Sequence, residues 1–313
     1  MKKQNRVYAL VSIGAKMAMW NADMTMGPKM TANNDIFGSD KALKYSIKNL
    51  WKMQGKKVIY IKHRNDKFAL MPLKDIYEAE FNEAIPDKKK DANANTKVLN
   101  NLLKAIDVRQ FGATFAAGDA YPNLGITGVV QVGQAFNLWE DANVEVIDIL
   151  SPFVNPKKDA EMTSIGNKTV VDEAHYLYPI TVNPANYDNL IGVVEGFEGY
   201  TEEDYEELKK ALLMCASALD TNSKAGCENE FALFVNMKNG SEAFLANLNS
   251  YVSLYDSNEN GLRVIDITKL QEFLFEFDDE IDSIEVFVND KKLSLKHLEN
   301  DKLIIKNMNG QTL

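Results

Sequence analysis

The apolar positions near the start of the chain predict a β-strand followed by a helix. In "RVYALVSI", residues 6–13, the alternating sets that begin at Val7 and Tyr8 are both mostly apolar, which is typical of a central strand. "IFGSDKALKYSIKNLWK", residues 36–52, predicts a helix that Ser39 or Asp40 caps and Gly55 ends. "KVIYIKH", residues 57–63, reads as the next strand, so a β–α–β unit is expected.

The predicted helix carries a row of lysines on one side. Lys41, Lys44, Lys48 and Lys52 fall within about 80° of arc, opposite its apolar positions. No glutamate lies among them, although surface helices are usually stabilised by acidic partners four residues away. The row is interpreted as an unpaired cationic face that a polyphosphate backbone would neutralise, with an ordinary solvated helix face as the alternative. We call these four residues the lysine stripe.

The remaining pattern predicts further elements separated by two insertions. Residues 64–105 are polar and rich in turn formers and read as an exposed insertion, within which residues 97–106 resume a helix. Residues 143–168 read as a projecting loop or hairpin. Other predicted strands and helices lie at 125–139 (strand), 175–182 (strand), 201–219 (helix with a capping box at Thr201), 230–237 (strand) and 241–254 (helix), followed by a terminal hairpin at 292–298 and 302–308.

This order of elements predicts the fold class. The run β–α–β, insertion, β, insertion, β–α–β suits an α/β (α+β) fold with a modified ferredoxin-like, RNA-recognition-motif core.

Charge is distributed unevenly along the 313 residues, whose net charge is −10. Residues 1–110 hold 21 basic and 11 acidic residues, whereas residues 111–313 hold 14 basic and 34 acidic ones. A basic first third in an acidic protein favours a polyanion as partner. No apolar run reaches the length of a membrane span, and Cys215 and Cys227 lack disulfide or zinc spacing, so a cytoplasmic protein without membrane contact is expected.

Motifs for catalysis or cofactors are not found. His63, His175 and His297 have no zinc-protease spacing, and no nucleotide-binding glycine pattern or nucleophile elbow occurs. We therefore expect no cofactor, no metal and no catalytic residues, and predict that the protein is not an enzyme.

Several segments, in order, resemble the Cas-seven family of the RAMP superfamily, the backbone subunits of type I CRISPR interference complexes (Cascade). The resemblance is closest to the I-B-like subtype. The segments are "NADMTMGPKM" with the lysine helix, "AIDVRQFGATFA" (105–116) with its Asp-x-x-x-Phe-Gly pattern, "ITGVVQVGQAF" (126–136), "SIGNKTVVDEAHYLYPITVNP" (164–184) and "DTNSKAGCENEFALFVN" (220–236).

The resemblance implies a right-hand-shaped chain. Residues 1–313 would form a single elaborated domain with a finger-like insertion at about 64–105 and a thumb at about 139–168, followed by an acidic C-terminal portion at about 251–313. Copies of the protein would stack along the CRISPR RNA (crRNA) beside other Cascade subunits. They would hold this guide by its phosphates while it pairs with target DNA in antiviral defence.

The same resemblance, with the lysine stripe, implies a set of RNA-binding residues. The lysines would meet phosphates, Ser46 would add a hydroxyl, Arg109 a forked contact and Phe111 a stacking face. Gln131 and Gln134 would reach ribose or backbone, and Asn167 and Lys168 would lie at the base of the thumb. The full expected set is Asn21, Lys29, Lys41, Lys44, Ser46, Lys48, Arg109, Phe111, Gln131, Gln134, Asn167 and Lys168.

Two alternatives remain open at the level of sequence. Related type III subunits cut RNA with a loop aspartate and a metal, and Asp23 occupies the comparable loop here; a guide-processing ribonuclease would instead use a histidine. The second alternative is an α/β protein that binds a small molecule and whose lysine stripe is only surface.

Overall fold

The computed structural model describes residues 1–150, 165–245, 247–257 and 261–313. Six α-helices occur in this part of the chain: α1 Asp40–Met53, α2 Leu73–Phe81, α3 Ala94–Leu102, α4 Ile106–Phe111, α5 Glu202–Met214 and α6 Thr268–Phe275. Short 3-10 helices span Pro184–Leu190, Leu248–Tyr251 and Asp278–Glu280. The strands are β1 Val7–Ala18, β2 Phe37–Gly38, β3 Gly112–Ala116, β4 Asn123–Thr127, β5 Val130–Val132, β6 Ala135–Asn137, β7 Val144–Leu150, β8 Ile165–Val182, β9 Cys227–Met237, β10 Ser253–Asp256, β11 Arg263–Asp266, β12 Ile281–Val288, β13 Leu293–Lys296 and β14 Leu303–Asn307.

One large sheet organises these elements. Its strand order is β14-β12-β9-β1-β8-β6-β2, and β5 and β7 also pair with β8. β1 pairs antiparallel with both β8 and β9, so the prediction of a central first strand is confirmed. α1 follows β1, and α5 connects β8 to β9. The order β9-β1-β8-β6 with these two helices is a split β–α–β arrangement, and the predicted mixed α/β class is confirmed.

The two apolar faces of β1 lie in separate hydrophobic cores. Val7 and Val11 belong to a core that also holds the buried faces of α1 and α5. Tyr8 and Leu10 belong to a second core, which α6 and the 248–251 turn cover. Successive strand residues point to opposite faces, so an apolar residue at nearly every position of β1 places this strand between two layers.

The prediction of a strand at residues 57–63 is wrong. This segment is coil with a bend at residues 60–61, and it does not join the sheet. The backbone N–H groups of Ile59 and Tyr60 donate instead to the Asp107 carboxylate, at 3.1 and 2.7 Å. A buried side chain from α4 thus satisfies donors that a neighbouring strand would otherwise bind. The sheet position that a β–α–β unit would give this segment is filled by β6, which pairs with β8.

Two predictions near the C-terminus are also wrong. Residues 241–254 form no α-helix in their described part; they run as coil into the 248–251 turn and β10. The terminal strands β13 and β14 do not pair with each other. β13 runs parallel to β11 in a three-stranded sheet with β10, and β14 runs parallel to β12 at the edge of the large sheet. Their partners β11 and β12 are strands that the pattern did not predict.

The predicted insertions contain the following elements. Residues 64–105 hold α2 and α3, and the finger they were expected to form stays a prediction. In the predicted thumb, β7 pairs antiparallel with the first half of β8, from Val144 opposite Val171 to Leu150 opposite Ile165. The connecting residues 151–164 of this thumb lie outside the described residues. No helix among the described residues is long and apolar enough to cross a membrane.

Candidate functional site

Helix α1 borders a cavity of about 610 Å³. Four of its residues line this cavity, Lys41, Lys44, Tyr45 and Lys48, at the i, i+3, i+4, i+7 spacing that places side chains on one helix face. The opposite wall comes from residues 59–63 and 70–76, and most of its side chains are apolar. We call this space the α1 cavity. Three residues of the lysine stripe therefore meet at one concave surface.

The stripe is not wholly unpaired, which corrects the sequence interpretation. Lys44 Nζ lies 3.1 Å from a carboxylate oxygen of Asp40, one turn earlier on the same helix. Lys52 Nζ lies 3.4 Å from Nδ1 of His63. Lys41 is exposed and has no ion-pair or hydrogen-bond partner within the described ranges, so its ammonium group is free for an external anion.

Lys48 is the most buried lysine of the stripe. Its Nζ donates a hydrogen bond of 3.2 Å to the carbonyl of Tyr60. Burial lowers the pKa of Lys48, and the nearby charge of Lys44 acts in the same direction, while the Asp107 carboxylate opposes the shift. Burial likewise raises the pKa of Asp107, against the pull of Lys48 and of three backbone N–H groups. Lys48 and Asp107 therefore bind the backbone of Ile59 and Tyr60 and hold this coil segment near α1.

Phe111, from the Asp-x-x-x-Phe-Gly pattern, lies beside the stripe, and its expected role as a stacking face stays a prediction. Its ring packs against Trp51 at 5.8 Å between centroids, and Lys44 and Lys48 lie over it at 5.6 and 5.7 Å. The ring packs against Trp51 but is only half-buried, so contact with an external group is sterically open. Both ammonium groups therefore make a cation–π contact with the same ring.

The glycine after Phe111 fixes the turn into β3. Gly112 has φ +71°, and a Cβ there would lie 2.1 Å from the carbonyl oxygen of Ile126. Only glycine fits this close approach.

The start of α1 is held by the two polar residues Asn21 and Gln134. The side-chain oxygen of Asn21 accepts hydrogen bonds from the backbone N–H and hydroxyl of Ser39, at 3.1 and 2.6 Å. Gln134 accepts from the backbone N–H of Asp40 and donates to its carboxylate, at 3.3 and 3.2 Å. Ser39 is the N-cap residue, but its own side chain makes no capping bond. The expected role of Asn21 in binding RNA is corrected to positioning α1, because its side chain is buried and its acceptor is occupied.

Two further expected contacts are corrected by burial and pairing. Ser46 is buried, and its hydroxyl donates to the carbonyl of Leu43, so it does not face an external phosphate. Arg109 faces α5, where its guanidinium pairs with Asp204 and lies 5.7 Å from the ring of Phe197. Both side chains already have intramolecular partners.

The other expected residues lie away from the α1 cavity. Gln131 is exposed on β5 and donates to the carbonyl of Gly128 at 2.8 Å. Asn167 is exposed on β8, opposite Asp148 of β7, and Lys168 donates to Asn222 at 3.2 Å. The half-buried Lys29 lies in the loop before β2, where its backbone bonds to Asn21 and Phe37. No described contact joins these four to the lysine stripe.

Sequence reasoning missed several residues that shape the site. Asp40 is four residues before Lys44 and is its acidic i,i+4 partner, although the stripe contains no glutamate. Tyr45 shares the helix face of the lysines, which its position four residues after Lys41 already indicated. Tyr60 and Asp107 reach the site through contacts about fifty residues apart in sequence, which no local pattern shows.

The loop aspartate considered for catalysis is engaged within its own loop. One carboxylate oxygen of Asp23 accepts hydrogen bonds from the backbone and hydroxyl of Thr25 and from the N–H of Gly27, at 2.7, 2.8 and 3.2 Å. These bonds hold the pKa of Asp23 below its usual value. Within the described ranges, no group of three histidine, cysteine or acidic side chains could hold a metal ion.

Comparisons with known proteins point to one family. A family model described as "CRISPR-associated protein Cas7" matches residues 5–272. Two solved structures match almost the whole chain. The first, "CRISPR RNA-guided surveillance complex, pre-nicking", has a TM-score of 0.56 at 14% identity, over 94% of this chain and 96% of that one. The second, "CRISPR RNA-guided surveillance complex", has a TM-score of 0.50 at 13% identity, over 93% and 95%. At such identities the structures show a shared fold. No curated protein matches the sequence.

Proposed function

The chain belongs to the family of CRISPR-associated protein Cas7, and from this we propose that it is a crRNA-binding backbone subunit of a type I Cascade complex. The observation that carries the proposal is the α1 cavity, at which Lys41, Lys44 and Lys48 converge beside Phe111. Such a surface binds phosphates without reading bases, which suits a protein that must hold any guide sequence.

The charge distribution supports the same role. The excess of basic residues lies in residues 1–110, which contain the stripe, and the acidic excess lies in the rest. A cationic surface confined to one region would bind a guide there, while the acidic remainder would repel nucleic acid elsewhere. In this proposal several copies stack along one guide with other Cascade subunits, in the cytoplasm, and the guide pairs with target DNA. The I-B-like subtype, the finger at 64–105 and the thumb at 139–168 belong to the proposal.

We infer further that the protein is a binding and structural subunit without catalysis. The engagement of Asp23 within its own loop supports this, because its carboxylate is bonded to three donors. Both cysteines are buried, and burial raises the pKa of each thiol to about 11, so neither is an available thiolate at neutral pH. Incubation with labelled RNA and magnesium tests this: we expect intact RNA, and cleavage that is lost in Asp23→Ala would contradict it.

The RNA site is tested by reversing two lysines. We expect Lys41→Glu and Lys44→Glu to weaken binding of single-stranded RNA and to flatten its salt dependence, because each change replaces a cation beside the RNA strand with an anion. Lys48 is left unchanged because it is largely buried and interacts with the Asp107 carboxylate. Lys210→Glu on α5 is the matched control, an exposed lysine on a helix away from the cavity. Equal affinities for all three variants and the unmodified protein would contradict the assignment of this surface.

A further inference from the structure

A buried polar cluster lies at the start of α1 and is built from three separate segments of the chain. Trp20 comes from the loop after β1, Ser39 is the N-cap residue of α1, and Tyr178 lies in β8. All three residues are buried. Polar groups in such a place need hydrogen-bond partners within the protein, so the way they are paired shows what the cluster holds together.

The Tyr178 hydroxyl joins the other two residues. It accepts a hydrogen bond from the indole Nε1 of Trp20 at 2.7 Å and donates one to the backbone carbonyl of Ser39 at 3.2 Å. Gly38 leaves room for this arrangement, because a Cβ at position 38 would overlap the Tyr178 hydroxyl oxygen and lie 3.1 Å from Cδ1 of Trp20. One hydroxyl therefore connects β8, the loop after β1 and the first residue of the helix.

Ser39 uses its polar groups for this cluster rather than for its own helix. The side chain of an N-cap serine usually accepts a hydrogen bond from a backbone N–H in the first turn. Here the Ser39 hydroxyl donates instead to the side-chain oxygen of Asn21 at 2.6 Å and makes no capping bond. The start of α1 therefore lacks a local cap and is fixed to Asn21 on one side and to Tyr178 on the other.

The lysine that depends most on this fixed start is Lys41. It follows Ser39 by two residues, is exposed, and has no ion-pair or hydrogen-bond partner in the part of the chain that the structure describes. Lys48 lies about two turns further along α1 and is held separately by the carbonyl of Tyr60. The position of the Lys41 ammonium group is therefore set by where α1 begins.

We propose that Tyr178 is a positioning residue for RNA binding, because its hydroxyl fixes the start of α1 so that Lys41 meets a phosphate. This inference rests on the proposed function and adds to it a buried residue that does not itself touch RNA. Tyr178 acts through Ser39 and Trp20. Without the hydroxyl, the charge of Lys41 would remain, but its ammonium group would no longer be held beside the strand.

The test is a double-mutant cycle with single-stranded RNA. Lys41→Gln removes one phosphate contact, which corresponds to about a fivefold loss of affinity at 0.1 M salt, since each contact contributes about 0.7 to the logarithmic salt slope. This effect is expected to shrink below about twofold in the Tyr178→Phe background. Tyr200→Phe is the matched control, because Tyr200 is also buried and its hydroxyl donates at 2.7 Å to Gln110 of α4 rather than to α1. In that background Lys41→Gln is expected to keep its full effect.

Urea unfolding of the same variants separates positioning from general stability. Tyr178→Phe and Tyr200→Phe each lose a buried hydroxyl, so both are expected to be less stable than the unmodified protein. A purely structural role for Tyr178 would leave the effect of Lys41→Gln equal in both backgrounds. Gly38→Ala displaces the Tyr178 hydroxyl without removing it and is expected to reduce the effect of Lys41→Gln as Tyr178→Phe does.

The outcomes distinguish this inference from the proposed function. An undiminished fivefold effect of Lys41→Gln in the Tyr178→Phe background would overturn the positioning role and leave the proposed RNA site intact. If Lys41→Gln has no effect even in the unmodified protein, the proposed phosphate site fails, and the positioning role fails with it.

Discussion

Replacement of Asp40 by asparagine is expected to strengthen RNA binding and weaken the fold. The Asp40 carboxylate lies 3.1 Å from Lys44 Nζ, where a phosphate oxygen would otherwise lie. Burial alone would raise the pKa of Asp40, but the hydrogen bonds from Lys44 and Gln134 outweigh it and hold the pKa below the usual value, so the group is ionised at neutral pH. The asparagine side chain would keep a polar contact to Gln134 without competing for the lysine.

The expected changes in RNA binding and in stability follow from the release of the Lys44 ammonium group and the loss of its ion pair with Asp40. One additional phosphate contact steepens the salt dependence of single-strand binding by about 0.7 in logarithmic slope. Between 50 and 200 mM salt, the RNA affinity of Asp40→Asn would therefore fall about 2.6-fold more than that of the unmodified protein. At low salt, Asp40→Asn would bind RNA more tightly than the unmodified protein. The ion pair itself, about one-fifth exposed on each side chain, contributes about 0.5–1 kcal/mol to the free energy of unfolding.

The assay is fluorescence anisotropy with a labelled RNA at several salt concentrations, together with urea unfolding. Asp301→Asn is the control, because Asp301 is exposed in the turn before β14 and its replacement changes the net charge equally. When the pH falls below the pKa of Asp40, its carboxylate is protonated and the ion pair with Lys44 is lost. The difference in stability between the unmodified protein and Asp40→Asn is then expected to disappear. The reasoning is refuted if Asp40→Asn binds RNA no more tightly than Asp301→Asn and shows the same salt slope.

Three further predictions concern stability, measured by urea unfolding. Asp107→Ala leaves the N–H of Tyr60 and its neighbour without their acceptor, so a loss of about 2–4 kcal/mol is expected; a loss below about 0.5 kcal/mol would contradict the role of Asp107. Gly112→Ala is expected to cost several times more than Gly55→Ala, because both have positive φ but only Gly112 is crowded; equal losses would contradict this. Burial alone would lower the pKa of His175, but two neighbouring glutamates outweigh burial and raise the pKa above its usual value. The stability that protonated His175 contributes is therefore full below about pH 6.5 and is lost as the pH rises through the raised pKa. His175→Gln is expected to flatten this pH dependence of stability, and an unchanged pH profile would contradict the role of His175.

The sequence pattern predicted best the elements whose signals are local. Alternation identified β1 and the later strands β8 and β9, and the capping box at Thr201 marked the start of α5, where both reciprocal hydrogen bonds are present. The lysine helix began and ended within two residues of its predicted caps. These features depend on residues that are close together in the sequence, so the local amino-acid pattern is enough to predict them.

The failures share a different cause. Residues 57–63 alternate like a strand, but the Asp107 side chain, 47 or 48 residues away, takes the N–H groups that a strand partner would bind. The stripe predicted to be unpaired contains Lys44 in an ion pair and Lys48 bonded to the carbonyl of Tyr60. Tertiary contacts decide both, and no local pattern encodes them.

The most direct measurement is the RNA content of the protein purified from cells that also carry a CRISPR array. Absorbance gives the amount of nucleic acid, and sequencing of the extracted RNA gives its identity. The account predicts bound guide RNA of discrete length, and its loss when both Lys41 and Lys44 are replaced by glutamate, while Lys210→Glu retains it. Protein that is free of nucleic acid and does not bind added guide even at low salt would contradict the central claim.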